Sequence, residues 1–307
     1  MSQLIVSVSP HLRSKTTTQN VMLDVLIALC PTLIAAVIIF GFRALLVVAV
    51  TVAACVLSEW AMEKLLKRPN TLADLSAVVT GVILAFNLPA SVPLWQAAIG
   101  AIFAIVVVKQ LFGGLGHNFA NPAITGRIFM FLAFSKAMAA TAAPVLADAV
   151  SGATPLAIMS GLSGEMPSLL KCFLGMHSGA IGETCSLTLI LGCVYMLCRR
   201  VITWHAPVAF IGTVALFSWA VGRAPLYEVL SGGLLIGAIF MATDYVTTPA
   251  TWSGRLIFGV GCGLITMLIR VWGNYPEGVS FAILLMNILT PFIEKWTRSK
   301  VLGGVKA

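Results

Sequence analysis

Charge is scarce in this chain. Only 10% of its 307 residues are charged, where a soluble domain carries roughly 25%. Hydrophobic residues make up 59%, and the mean hydropathy is +0.99. That balance excludes a soluble enzyme and predicts an all-α polytopic membrane protein. Metal-ligand patterns are also missing. The cysteines Cys30, Cys55, Cys172, Cys185, Cys193, Cys198 and Cys262 contain no Cys-x-x-Cys pair, and none stands at metal-ligand spacing with histidine. A metal or iron–sulfur centre held by this chain alone is therefore not expected, and most of the cysteines read as small buried hydrophobes. Cys172 and Cys185 could pair if their face is oxidising. The first polar stretch, Ser7–Asn20, runs into an apolar segment without a small-residue cleavage pattern, so no cleavable leader is expected. The net charge of +8 comes from basic residues scattered in short loops between apolar runs. That pattern encodes membrane topology and gives no reason to expect a nucleic-acid partner.

What is present is a succession of apolar segments near the length that spans a bilayer. They cover about 22–40, 43–60, 72–88, 94–112, 122–140, 186–203, 206–222, 229–244, 255–272 and 278–295, about ten in all. Between the fifth and sixth lies the one sizeable extramembrane interval, 141–185. Three units follow: 1–140 as an N-terminal five-helix repeat, 141–185 as an extracytoplasmic loop, and 186–307 as a C-terminal five-helix repeat. Counting lysines and arginines on alternate sides gives fourteen against five, which places both termini in the cytoplasm and the loop outside. The chain is thus expected in the cell membrane, as a multi-pass protein in contact with lipid. Trp204, Trp252, Trp272 and Trp296 fall at segment ends, where an interfacial aromatic belt accounts for them.

The halves resemble each other. Residues 76–93 match 232–249, with Gly81 and Gly237, and Pro93 and Pro249, at the same spacing; Asp244 lies one place after the equivalent of Asn87. A Gly-rich elbow then follows in each half: Gly113 to Pro122, containing His117 and Asn118, and Trp272 to Gly278. Five segments per half is an odd number, so the second half enters the membrane upside down, a 5+5 inverted repeat with interrupted helices. Binding sites in that architecture lie at the interruptions, here Phe86–Pro93 and Ala242–Pro249. Asp244, beside Thr243, is the strongest candidate because a carboxylate at membrane depth is expensive; the bland alternative is a cap at a helix end. Arg255 is its expected partner. Glu59 and Asp74 are expected at an interface with the Lys64–Arg68 cluster. His117 and Asn118 could contact a cofactor, and Arg127 could balance a phosphate or be a topology charge.

The extramembrane interval contains Asp148-Ala-Val-Ser151-Gly152-Ala153-Thr154-Pro155. Gly152 and Ala153 leave Thr154 sterically open, and Pro155 suits a first helical position, so Thr154 is predicted to cap a helix from Leu156 to Ser160. A phosphate on its hydroxyl would meet the free N–H groups and positive dipole end of that helix. Asp148 could help a metal-dependent enzyme handle the phosphate. Local physics alone equally allows an ordinary turn.

The pattern Asp-x-x-Ser-Gly-Ala-Thr resembles the signature used by bacterial flavin transferases. In a membrane setting the chain resembles the D subunit of the Rnf ferredoxin:NAD oxidoreductase, and the homologous B subunit of the sodium-translocating NADH:quinone reductase. Gly113–Ala123, Ala242–Asp244 with Thr248-Pro249, and Tyr275–Asn287 resemble segments of the same family in the same order. The resemblance implies an electron-transfer subunit of an ion-translocating oxidoreductase, not catalytic alone. It implies FMN joined to Thr154 by a phosphoester, with Asp148, Ser151, Gly152 and Ala153 as the flavinylation motif, and a second, noncovalent flavin, riboflavin. Asn87, His117, Asn118, Arg127, Thr243 and Asp244 are candidates for contact with flavin. The implied partners are the A, B, C, E and G subunits and a flavin transferase for maturation. The competing reading is a secondary transporter or channel built on the same inverted repeat; a scaffold for redox subunits is a third.

Overall fold

A computed structural model describes residues 16–140, 144, 154–273 and 277–298. Every regular element among them is a helix. The first bundle comprises α1 (Thr18–Phe40), α2 (Phe42–Leu65), α3 (Ser76–Phe86), α4 (Leu94–Phe103), α5 (Pro122–Ala133) and the short α6 (Ser135–Ala139). Two short helices follow, α7 (Pro155–Met159) and α8 (Leu169–Leu174). The second bundle comprises α9 (Ser186–Cys198), α10 (His205–Ala220), α11 (Pro225–Leu230), α12 (Leu234–Ile236), α13 (Trp252–Trp272) and α14 (Val279–Thr297). Four helices, α1, α2, α13 and α14, are long and apolar enough to cross a membrane. Their outward faces are greasy: Ile34, Ile38, Leu57, Phe292 and Trp296 are all more than half exposed. Water would not tolerate such a surface, whereas lipid requires it, and the chain is a membrane protein.

Helix boundaries follow local chemistry. Thr17, Asn121 and Thr251 cap α1, α5 and α13 by accepting backbone N–H groups, with Pro122 at the first position of α5, where its missing N–H costs nothing. A single residue, Gly41, turns α1 into α2 at φ 74°, a conformation glycine adopts without strain. Two helices change pitch. α4 continues as a π-helix over Ala104–Gln110, and α12 over Gly237–Met241.

Each of the ten apolar segments expected from the sequence contains helix, with differences at points of backbone chemistry. The segment expected over 72–88 begins with a 3₁₀ turn, Leu72–Asp74, and a left-handed Leu75 before α3 starts. The segment over 122–140 breaks at Phe134. The segment over 229–244 is divided between α11 and α12 because Gly232 and Gly233 both take positive φ. Both expected interruptions are present, since α3 stops at Phe86 and the π-turn after α12 stops at Met241.

Packing repeats between the bundles. In the first, α2 packs on α3 and α4, and α4 on α5; in the second, α10 packs on α11 and α13, and α13 on α14. Corresponding helices then meet across the molecule, α1 with α9 and α5 with α14.

Candidate functional site

The two interruptions touch. Asn87, which ends α3, points its amide nitrogen at the Ile83 carbonyl (2.6 Å) and the Met241 sulfur (3.5 Å). Its oxygen accepts from Arg127 Nη1 of α5 at 2.7 Å. Arg127 is buried, and its Nη2 pairs with Glu183 at 2.8 Å and with Glu277. One guanidinium therefore ties the first bundle to the segment before α9 and to the elbow before α14. Five donors in a rigid fork make arginine suited to such a junction.

A second charged group lies to one side. Lys109, in the π-turn after α4, gives its ammonium to both oxygens of Glu59 in α2 (2.6 and 2.8 Å) and to Ser76 Oγ at the start of α3 (2.6 Å). Gln110 also donates to Glu59, at 3.1 Å. Glu59 is fully buried, and its partner is Lys109; the expected interfacial grouping with Lys64–Arg68 is corrected on this point. A helix's period fixes the face a carboxylate occupies but not which cation a neighbouring helix brings to it. Asp74 stays local, accepting the Ser76 N–H at 2.8 Å.

The second bundle carries a counterpart. Arg270, near the end of α13, pairs with Glu228 of α11 at 2.9 Å and donates to the carbonyls of Ser231 and Gly232, both at 3.3 Å. Arg223 adds a second contact to Glu228 at 3.0 Å. Position 232 is the repeat equivalent of position 76. Each bundle thus places a cation from its fourth segment on the start of its third, with a buried carboxylate to neutralise it. In the sequence alone Lys109 and Arg270 count only as topology charges. Each follows an apolar run, Ile105–Val108 and Met267–Ile269, and that placement is the signal that marks them. Without Lys109, Arg127 and Arg270 the topology count still stands at twelve against four.

Between the bundles lies a cavity of about 100 Å³. Most of its wall is apolar, with Val21, Val25, Val79, Ile83, Met196 and Phe240 among the contributors. Its polar fringe holds Ser76, Thr80, Lys109, Asn118, Asn121, Thr243 and Asp244. The lining chemistry is that of a site for an organic ligand with an apolar body and polar edges. The structure therefore brings Asn118, Thr243 and Asp244 together. Asn87 sits one turn beyond Ile83, outside the cavity and engaged with Arg127, while His117 is exposed. Asn118 donates to the Ala120 carbonyl at 3.0 Å, which fixes the elbow. Asp244 accepts from Thr247 Oγ1 at 3.1 Å and from the Val246 N–H at 3.4 Å, so it caps its own turn while facing the cavity. Arg255 is not its ion-pair partner: that guanidinium is held by the Pro249 carbonyl (3.0 Å) and Thr203 Oγ1 (2.8 Å), to which it donates.

Thr154 caps α7 as the sequence predicts. Its side-chain oxygen accepts the Ala157 N–H at 3.2 Å, and Pro155 is the first helical residue. The residue after the proline anchors the segment. Leu156 is 2% exposed and lies so close to Gly232 that a methyl there would overlap it. Tyr227 of α11 secures the following loop by donating to the Pro167 carbonyl at 3.1 Å. Asp148, Ser151, Gly152 and Ala153 lie outside the described residues. Cys172 and Cys185 are both buried and free.

A helical membrane protein with an organic-ligand cavity between two similarly packed bundles is the class these features define. The chain belongs to the NQR2, RnfD, RnfE family, whose sequence model matches residues 5–303. Over 306 residues it is 47% identical to the D subunit of the Na(+)-translocating ferredoxin:NAD(+) oxidoreductase complex of Acetobacterium woodii, covering 99% of this chain and 96% of that protein. It is 41% identical to the D subunit of the proton-translocating ferredoxin:NAD(+) oxidoreductase complex of Clostridium ljungdahlii, covering 97% and 96%. With the D subunit of the ion-translocating oxidoreductase complex of Stutzerimonas stutzeri the identity is 38%, over 94% and 93%.

Proposed function

We propose that this chain is the membrane electron-transfer subunit of a ferredoxin:NAD oxidoreductase that couples redox flow to translocation of Na+ or H+. The observation that carries this reading is the near end-to-end match to subunits of that name, two of which differ in the ion they move. The chain would work with the A, B, C, E and G subunits of such a complex. Its helices form a 5+5 inverted repeat of ten membrane segments, supported by the recurring packing and by the cation at the start of each third segment. Both termini face the cytoplasm and Thr154 faces outward, as the distribution of basic residues suggests.

Thr154 carries FMN through a phosphoester, installed by a flavin transferase. The fit rests on a partly exposed hydroxyl oxygen beside the Ala157 N–H, where a helix start favours negative charge. A second flavin, riboflavin, is held without a covalent bond in the cavity between the bundles. Val79, Ile83 and Phe240 would cover the ring faces, while Asn118, Thr243 and Asp244 offer hydrogen-bonding groups at the edge. A bound flavin supplies the capacity to pass one or two electrons, and the protein fixes its place and shields it from water.

The test is in-gel flavin fluorescence of the denatured protein, wild type beside Thr154→Val, each coexpressed with a flavin transferase and checked by intact mass. A fluorescent wild-type band that goes dark in the variant is expected. A dark wild-type band, with the transferase shown to be active on another substrate, would reduce the loop to a turn and favour a transporter that uses the cavity for a solute.

A further inference from the structure

A second cavity, of about 260 Å³, meets the first at Thr243–Tyr245 but differs in character. It is lined by Arg200, Thr203, Thr243, Asp244, Thr248 and Arg255, among others. Arg255 is fixed in place by its bonds to Pro249 and Thr203, which use Nε and Nη1 and leave Nη2 without a partner among the described residues. Arg200 occupies the left-handed position that ends α9, at φ 57°, with the Val201 N–H returning to the Met196 carbonyl at 2.9 Å. Glycine is the usual residue there, and a long side chain at positive φ is uncommon. The Arg200 guanidinium has no partner among the described residues. Asp244 is the opposing charge, and its carboxylate is already bonded to Val246 and Thr247. Two cations against one occupied anion leave the cavity net positive.

Its depth in the membrane is marked by aromatics. Trp204 and Trp252, 54% and 70% exposed, stack on either side of His205 with ring centroids 4.2 and 5.5 Å away. Trp204 follows Thr203, and Trp252 precedes Arg255 by one helical turn. Exposed tryptophans collect at the headgroup level of a bilayer, so the arginines open onto the layer where lipid phosphates lie. Guanidinium groups match phosphate oxygens in geometry as well as charge. We propose that this cavity binds a phosphate group, of the class presented by an anionic phospholipid headgroup or by free phosphate.

The full-length protein, washed free of lipid in detergent, is titrated with phosphatidylglycerol and, in parallel, with diacylglycerol, and retention is read by native mass spectrometry. Arg200→Gly is the variant, because glycine relaxes the left-handed backbone and preserves the fold while deleting the cation. The wild type is expected to retain phosphatidylglycerol about tenfold more strongly than the variant, and neither protein to retain diacylglycerol. Displacement by millimolar inorganic phosphate would show that the phosphate group alone suffices; resistance would identify the lipid as the source. Equal retention by both proteins, or no retention by the wild type, overturns the proposal. Loss of noncovalent flavin from Arg200→Gly would also overturn it, by assigning the cavity to the flavin.

Discussion

The two bundles solve one problem with different chemistry. Each must start its third segment inside the protein, where backbone carbonyls and carboxylates need donors. The first bundle uses a lysine, whose three N–H groups are divided between Glu59 and Ser76. The second uses an arginine that reaches three main-chain carbonyls, those of Glu228, Ser231 and Gly232, as well as the Glu228 carboxylate. The backbone differs at the same place: α3 runs unbroken from Ser76, whereas Gly232 and Gly233 break the equivalent segment of the second bundle and leave the Ser231 and Gly232 carbonyls to the guanidinium. A repeated fold thus keeps a charge at a position while the residue type follows the local defect.

The greatest loss is expected from Lys109→Met, which leaves the buried Glu59 carboxylate with neutral donors, chiefly Gln110. Leaving a buried charge without its counter-ion costs about 3–5 kcal/mol, so thermal unfolding in detergent should show a protein that is barely folded. Arg270→Met tests whether the second bundle depends equally on its cation. Glu228 keeps Arg223 as an ion-pair partner, and the loss should lie near the lower end of that range; a larger loss than Lys109→Met would reverse the ranking of the two locks. The equivalent positions 232 and 76 give a direct contrast. Gly232→Ala forces a methyl into Leu156 at positive φ and should cost about 1–3 kcal/mol, while Ser76→Ala removes two hydrogen bonds, one from Lys109 and one to Asp74, and should cost about as much without any steric clash. A wild-type unfolding midpoint for Gly232→Ala would deny the special role of the Gly232 notch.

Asp244→Asn makes the second interruption resemble the first, where Asn87 stands. The expected outcome is unchanged covalent flavin at Thr154 with a several-fold fall in acid-extractable flavin, measured by chromatography. If neither flavin content nor ion transport changes, Asp244 is a cap and nothing more. The smallest effect separates two cysteines. Burial pushes the Cys172 thiol up to about 11, so at pH 7.5 it holds little thiolate and should resist maleimide in the folded protein. Cys198 is exposed and should react; labelling of Cys172 at a similar rate would place α8 away from its packed position.

Much of this architecture is legible in the sequence. Apolar runs reveal the helices, and Asn87 and Asp244 mark where two of them stop, because a polar residue inside an apolar run must be caught by backbone or a neighbour. Thr154 is legible as a cap because Pro155 follows it. Pairing across space is not. Glu59 finds Lys109 fifty residues away, and Arg127 joins Asn87, Glu183 and Glu277, from three separate parts of the chain; no spacing rule connects such positions. Arg255 is close to Asp244 in sequence, yet the turn between them directs the guanidinium to Pro249 and Thr203.

The seating of Leu156 against Gly232 has a mechanical meaning. Only Pro155 separates Thr154 from that contact, and Tyr227 clamps the loop that follows, so Thr154 is anchored against α11 of the second bundle. Whatever is attached there is held on a short arm and not on a tether. The Gly232 notch, by seating Leu156, sets where that arm leaves the second bundle.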